Sequence, residues 1–192
     1  MFKRIIKGDR DYLKKKRTRV IVLTIIYFAA ALSVFLIGYI TTGSKRNLLT
    51  VVAVLGLLPA CKSTVNMIMF LRAKGCSQDV ANLIEEHSGR LISMFDMYFT
   101  SYSKNFSISH MVVENKVIIG LTEDVKFDSK AFNEHIETML KNAGHNNLTI
   151  SVTDSVDKYL VMLDNMNSEL YPEDEKIKKD DEIRISLYEI SL

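Results

Sequence analysis

Residues 20–40 run for 21 positions without a charge, VIVLTIIYFAAALSVFLIGYI. A helix rises about 1.5 Å per residue, so this run covers roughly 30 Å, the thickness of a bilayer's hydrocarbon core. It is apolar on every side, whereas a helix packed on a soluble core keeps a polar face. A cleaved signal peptide has the same basic-then-apolar outline, but its apolar region is only about 7–15 residues and ends in a small-residue cleavage site. The length therefore favours a spanning helix over residues 20–40. Tyr39 stands near its end, where an aromatic ring suits the headgroup region.

A second apolar segment follows at 48–71. Residues 48–61 carry no charge, Lys62 interrupts, and Ser63, Thr64 and Asn66 precede an apolar finish at 67–71. The uncharged part alone reaches about 21 Å and the whole segment roughly 36 Å, so only the whole crosses, with some tilt. Pro59 lies inside it, a residue that membrane helices tolerate better than soluble ones. The sequence thus predicts a transmembrane hairpin of helices 20–40 and 48–71 joined by a short loop at 41–47. Lys62 would lie about 15 Å from the end of its span, with Asn66 one turn on. An ionisable group at that depth points to a pore, a substrate site or a contact with a partner helix. The plainer readings are snorkelling to the interface, or a contact with Ser33 or Tyr27 within a hairpin or a homo-oligomer. Helix packing is the expectation adopted for Lys62; a channel or transporter subunit is the third functional alternative.

Charge is sorted along the chain. Residues 1–74 hold 14 Lys+Arg against Asp9 and Asp11, whereas residues 75–192 hold 11 Lys+Arg against 21 Asp+Glu. Nine of the basic residues precede the first span, including Lys14, Lys15, Lys16, Arg17 and Arg19, while the loop between the spans has only Lys45 and Arg46. Basic flanks stay inside, which predicts a multi-pass protein of the cell membrane with residues 1–19 and the C-terminal region cytoplasmic. The five residues from Lys14 to Arg19 are expected at the membrane surface, facing anionic lipid at about 1 kcal/mol each. With one cysteine in a span (Cys61) and one just beyond (Cys76), no disulfide is expected.

Residues 75–167 read as one α+β (mixed α/β) cytosolic domain. Ser77 and Gly89 bracket a helix, and 91–100, 106–112 and 117–121 read as a three-stranded antiparallel meander, with Phe106, Ile108, His110 and Val112 on one alternating face. The segment 113–116 is the turn into the third strand. Asp128 caps a helix ending at Gly144, residues 148–152 form a short strand, and Asp154 or Ser155 caps a further helix. Residues 168–182, with Pro172, read as a charged linker, and residues 183–192 as a late strand or partner-binding tail.

Four histidines (87, 110, 135 and 145) and two cysteines form no zinc spacing, and no phosphate-binding glycine loop or nucleophile elbow is present. No cofactor and no metal are expected. Asp96 in the first strand and Glu114-x-Lys116 eighteen residues later, in a helix–three strands–helix–strand order, resemble the core of the PD-(D/E)xK nuclease family over roughly residues 78–153. That resemblance implies a divalent metal held by Asp96 and Glu114, with Lys116 beside the activated water. Glu114 and Asn115 stand where a hairpin turn is expected, no proline precedes Asp96, and the acidic domain disfavours a nucleic-acid partner. Asp96, Glu114 and Lys116 are accordingly taken as surface and turn residues, and a metal-dependent nuclease is the second alternative. The layout as a whole resembles uncharacterised bacterial membrane proteins with a basic start, two close spans and a small cytosolic α+β domain. The functional expectation is a non-catalytic, membrane-tethered binding or regulatory domain. Its partners would be the lipid bilayer and a membrane-associated or cytosolic protein, a basic one suiting the acidic domain.

Overall fold

Both apolar runs fold as helices in the computed structural model, which describes residues 6–102, 104–168 and 174–192. Helix α1 spans Tyr12–Thr42 and α2 spans Leu48–Arg72, 31 and 25 residues. Each is long and apolar enough to cross a membrane, and only 17% and 11% of their most apolar stretches are buried, unlike a core helix of a soluble protein. Helix α1 begins eight residues before the apolar run, because the Lys and Arg residues at 14–19 are themselves good helix formers.

The chain divides into two compact units, one of Leu13–Ala73 and one of Lys74–Leu192 together with the described residues up to Tyr12. Within the first, small residues line the contact between the helices. Ala31, Ala53 and Ala60 are buried, and a Cβ on Gly56 would stand 3.8 Å from that of Ala31. A hydrogen bond of 2.7 Å joins Thr24 Oγ1 to Ser63 Oγ. At the connection, Asn47 Oδ1 caps α2 by accepting from Thr50 N at 2.8 Å, while its Nδ2 donates to Gly38 O at 2.9 Å.

The second unit is a three-layer α+β fold. After α3 (Gln78–Ser88) come β1 (Met94–Thr100), β2 (Asn105–Glu114), β3 (Val117–Leu121), α4 (Ser129–Asn142), β4 (Thr149–Thr153), α5 (Val156–Ser168) and α6 (Asp174–Ile190). The sheet order is β1-β2-β3-β4, antiparallel through β3 and parallel between β3 and β4. The expected three-stranded meander is therefore part of a four-stranded mixed sheet. The link from β3 to β4 includes the whole of α4, a crossover long enough to return β4 parallel to β3, whereas short links return each strand antiparallel. Helices α4 and α6 cover one face through Phe132, Ile136, Leu140, Ile183 and Leu187; α3 and α5 cover the other through Ala81, Ile84, Tyr159 and Leu163.

The C-terminal strand is also corrected. Residues 174–190 are helix α6, because Ile183 and Leu187 lie one helical turn apart and both enter the core, a spacing that also satisfies the alternation of 183, 185 and 187. The tail thus docks on its own domain, and the charged stretch before it is helical from Asp174; Pro172 lies outside the described residues. The caps at Asp128, which accepts from Ala131 N at 3.0 Å, and at Gly144, with φ +93°, stand as the sequence predicts.

Candidate functional site

Residues near the middle of β1 and β2 break the alternation of the sheet. Met94 and Met97 lie three apart yet enter the same core layer, as do Ile108 and Met111 opposite them, while Phe95 and Val112 enter the other layer. His110, expected on the face of Phe106 and Ile108, instead packs against Phe95 and Tyr159 on the opposite one. Each strand therefore absorbs an extra half-turn at one level, and the residues there are Asp96, with φ +56°, and Ser109, both buried. A left-handed backbone is tolerated by Asp far better than by a β-branched strand former.

This kink is where the two segments flanking Leu13–Ala73 attach. From the C-terminal flank, Cys76 N donates to Asp96 Oδ1 at 2.8 Å, and Ser77 N donates to Glu123 Oε2 at 3.0 Å. The same Glu123 oxygen accepts from Ser109 Oγ at 2.8 Å, and Lys74 N donates to Ser107 Oγ at 3.3 Å. A Cβ on Gly75 would lie 2.8 Å from Asp96 Oδ1, so glycine lets the linker lie directly on the carboxylate. From the N-terminal flank, Phe95 N donates to Gly8 O at 2.8 Å, forming a one-residue bridge with β1. Lys7 Nζ donates to Tyr188 O and Ser191 O at 2.9 and 2.8 Å, and Arg10 reaches Glu85, Gln78 and Asn82 on α3 at 2.7–2.9 Å. Successive residues of one strand, Phe95 and Asp96, thereby hold the segment entering the helix pair and the segment leaving it.

Asp96, Glu114 and Lys116 are not brought together. Asp96 lies level with Ser109, between the Phe95–His110 and Met97–Ile108 pairs, and Glu114 lies five residues further along β2, roughly 17 Å away at strand spacing. Glu114 is neither in the turn nor at the surface: with Val113 it belongs to β2, so the turn expected over 113–116 narrows to 115–116, and it is buried and pairs with Arg90. Lys116 is the exposed second residue of a two-residue turn in which Asn115 and Lys116 have φ +50° and +62°. Asp180 of α6 caps that turn, accepting from Asn115 N at 2.8 Å and Lys116 N at 3.1 Å. Among the described residues no three His, Cys, Asp or Glu side chains are grouped to hold a metal ion.

Burial near the kink suppresses acid–base and nucleophilic chemistry. The Cys76 thiol is pushed up to about 12 by burial, with the carboxylates of Glu123 and Asp96 adding to it, so it stays protonated and unreactive. Burial also drives His110 down to about 3, and its neutral ring bonds to Tyr159 Oη through Nδ1 at 2.7 Å. Burial raises Glu123, but the hydrogen bonds from Ser77, Ser109 and Cys76 outweigh it and hold the carboxyl below its ordinary value. The cluster is built to hold backbone. Asp96, expected at the surface, is instead buried within β1, where it holds the Cys76 amide; no part here was expected of Ser109, Glu123 and Cys76, although two serines (107 and 109) inside an apolar strand and Gly75 just before Cys76 are signals for it.

In the helix pair, Ser63 rather than Lys62 meets α1, and Lys62 and Asn66 are both exposed. The contact expected between Lys62 and Ser33 or Tyr27 does not form, because Ser63 is the neighbour that points at Thr24. Arg17, expected at the membrane surface, donates instead to Phe70 O at 3.0 Å and Ala73 O at 2.6 Å, closing the carbonyl end of α2. Lys14, Lys15 and Arg19 are exposed and Lys16 is half-buried. Comparison with protein-family models, curated proteins and solved structures gives no match to this chain.

Proposed function

We propose that the protein is a two-span membrane protein of the cell membrane whose α+β domain works as a non-catalytic binding module on the cytoplasmic side. One observation carries the reading: residues 6–12 and 74–77, the two flanks of Leu13–Ala73, belong to one folded unit and attach to β1 at Phe95 and Asp96. A chain that leaves and re-enters the same folded unit crosses a bilayer an even number of times, which matches a hairpin of α1 and α2. The exposed basic residues Lys14, Lys15 and Arg19 at the start of α1 favour the cytoplasmic side for that unit. Binding is preferred over catalysis because the buried polar groups of the kink are occupied in holding backbone and because its thiol and imidazole are kept neutral.

The experiment is accessibility of single cysteines placed at Ser44, in the connection of the helices, and Ser168, at the end of α5, in a Cys61→Ala, Cys76→Ser background. An impermeant maleimide applied to intact cells should label position 44 and not 168. Labelling at 168 would overturn the topology, and labelling at neither site would show that the helix pair does not cross.

A further inference from the structure

Helix α2 presents an exposed lysine and an exposed asparagine on one of its sides. Lys62 lies two residues past Ala60, the midpoint of Leu48–Arg72, so by either end of α2 it is about as deep as a residue can be. Asn66 follows at i+4, which places the two side chains as neighbours, about 5–6 Å apart at their Cβ atoms. Neither side chain is turned toward α1, whose polar contact is made by Ser63. The exposed residues on the same side of α2, Leu55, Leu58 and Val65, are apolar. An ammonium and a carboxamide standing side by side in such a surface form a donor pair with the reach of one carboxylate: the ammonium to one oxygen, the amide N–H to the other.

Residues 13–73 contain no Asp or Glu. A second copy of this helix pair therefore offers Lys62 no counter-charge and would oppose like charges wherever two α2 helices met side by side. We infer that the Lys62–Asn66 face of α2 docks a transmembrane helix of a different protein that carries an Asp or Glu at mid-membrane depth. The acid neutralises Lys62 and accepts from Asn66, and the apolar residues beside the pair pack the two helices. This surface rests on the reading that α2 crosses a bilayer, and it adds to that reading the chemistry of the partner.

The test uses the full-length chain in vesicles of zwitterionic lipid, labelled for energy transfer to a designed Leu/Ala transmembrane helix. That helix carries a single central Asp, or Leu at the same position. The Asp helix should associate about tenfold more tightly than the Leu helix. The difference should vanish in Lys62→Leu, shrink in Asn66→Leu and survive in Lys62→Arg. Equal association of the Asp and Leu helices, or a preference that persists in Lys62→Leu, would overturn the inference in favour of a lysine that snorkels to lipid phosphate. Energy transfer between two labelled copies that is lost in Lys62→Leu would overturn it in favour of a homo-oligomer. Maleimide labelling at position 44 from only one side of the same vesicles reports whether the helices cross, so a failed insertion is not mistaken for a failed interface.

Discussion

Asp96 makes a graded prediction, because two separate properties fit it to the kink: its carboxylate accepts from Cys76 N, and its backbone sits at φ +56°. Asn keeps an acceptor oxygen and tolerates the left-handed region, so Asp96→Asn loses only charge assistance, about 1 kcal/mol. Asp96→Gly keeps the backbone comfortable but strips the linker of its acceptor, about 2 kcal/mol. Asp96→Ala loses the acceptor and also the short polar side chain that makes a left-handed backbone tolerable for Asp, about 1 kcal/mol more, about 3 kcal/mol in all. For a domain of this size 1 kcal/mol shifts Tm by about 4 °C. The expected losses are therefore about 4, 8 and 12 °C for Asn, Gly and Ala. The assay is thermal unfolding of the full chain in lipid nanodiscs by circular dichroism, with alkylation of Cys76 in a Cys61→Ala background as a local readout. Cys76 should react faster in Gly and Ala and remain slow in Asn, since only the first two release its backbone. Gly75→Ala drives a Cβ to 2.8 Å from the same carboxylate, so its cost should fall when combined with Asp96→Gly, which makes room. Three variants within about 2 °C of one another, with Cys76 alkylation unchanged, would refute the clamp, and a Gly variant as unstable as Ala would refute the role assigned to the backbone angle.

Three further predictions concern the domain. His110 is held neutral down to about pH 3 when folded and titrates near its ordinary value of about 6.5 when unfolded, so the unfolded state binds the extra proton and stability falls as pH drops below about 6.5. The expected slope is on the order of 1 kcal/mol per pH unit between about pH 6 and 4, measured by urea unfolding. His110→Leu should flatten it while lowering stability at pH 8, where Tyr159 loses its partner; an unchanged slope would remove His110 from the account. Arg90→Leu leaves the Glu114 carboxylate buried without its ion pair and should cost about 3 kcal/mol, seen as a Tm loss of about 12 °C; a neutral effect would mean that Glu114 is solvated. Lys116→Gly relieves a left-handed residue in the β2–β3 turn and should raise Tm by about 2–4 °C, a gain that a lysine with an essential partner would not allow.

Legibility in the sequence followed the range of the forces involved. The two long apolar helices, the cap at Asp128, the stop at Gly144 and the turn at Asn115–Lys116 are local in origin, set by runs and single residues that act on their neighbours. The face of His110 was not legible, because alternation carries a strand reading forward and nothing local marks the half-turn at Asp96 and Ser109. Helix α6 was misread because 183, 185 and 187 fit a strand while 183 and 187 fit a helix, and only the core formed by α4 and the sheet decides between them. The side of α2 that Lys62 occupies depends on which neighbour meets Thr24, a contact between residues 39 apart.

The sheet's first edge has a consequence for the order in which the domain can fold. Strand β1 is sealed at one end by Gly8, against Phe95, and at the other by residues 191 and 192, with Leu192 N donating to Tyr98 O at 2.8 Å and Ser191 bridging to Phe99. Residues 6–12 thus wait through the synthesis of some eighty more before their strand exists, and this edge closes only once residues 191 and 192 have been made. If both helices cross, a chain in which one of them fails to insert strands residues 6–12 on the far side of the bilayer and leaves β1 with an open edge, the condition that invites aggregation and proteolysis. Folding of the domain would then act as a proofreading step for membrane insertion, retaining the copies whose two helices have both crossed and exposing the others to quality control.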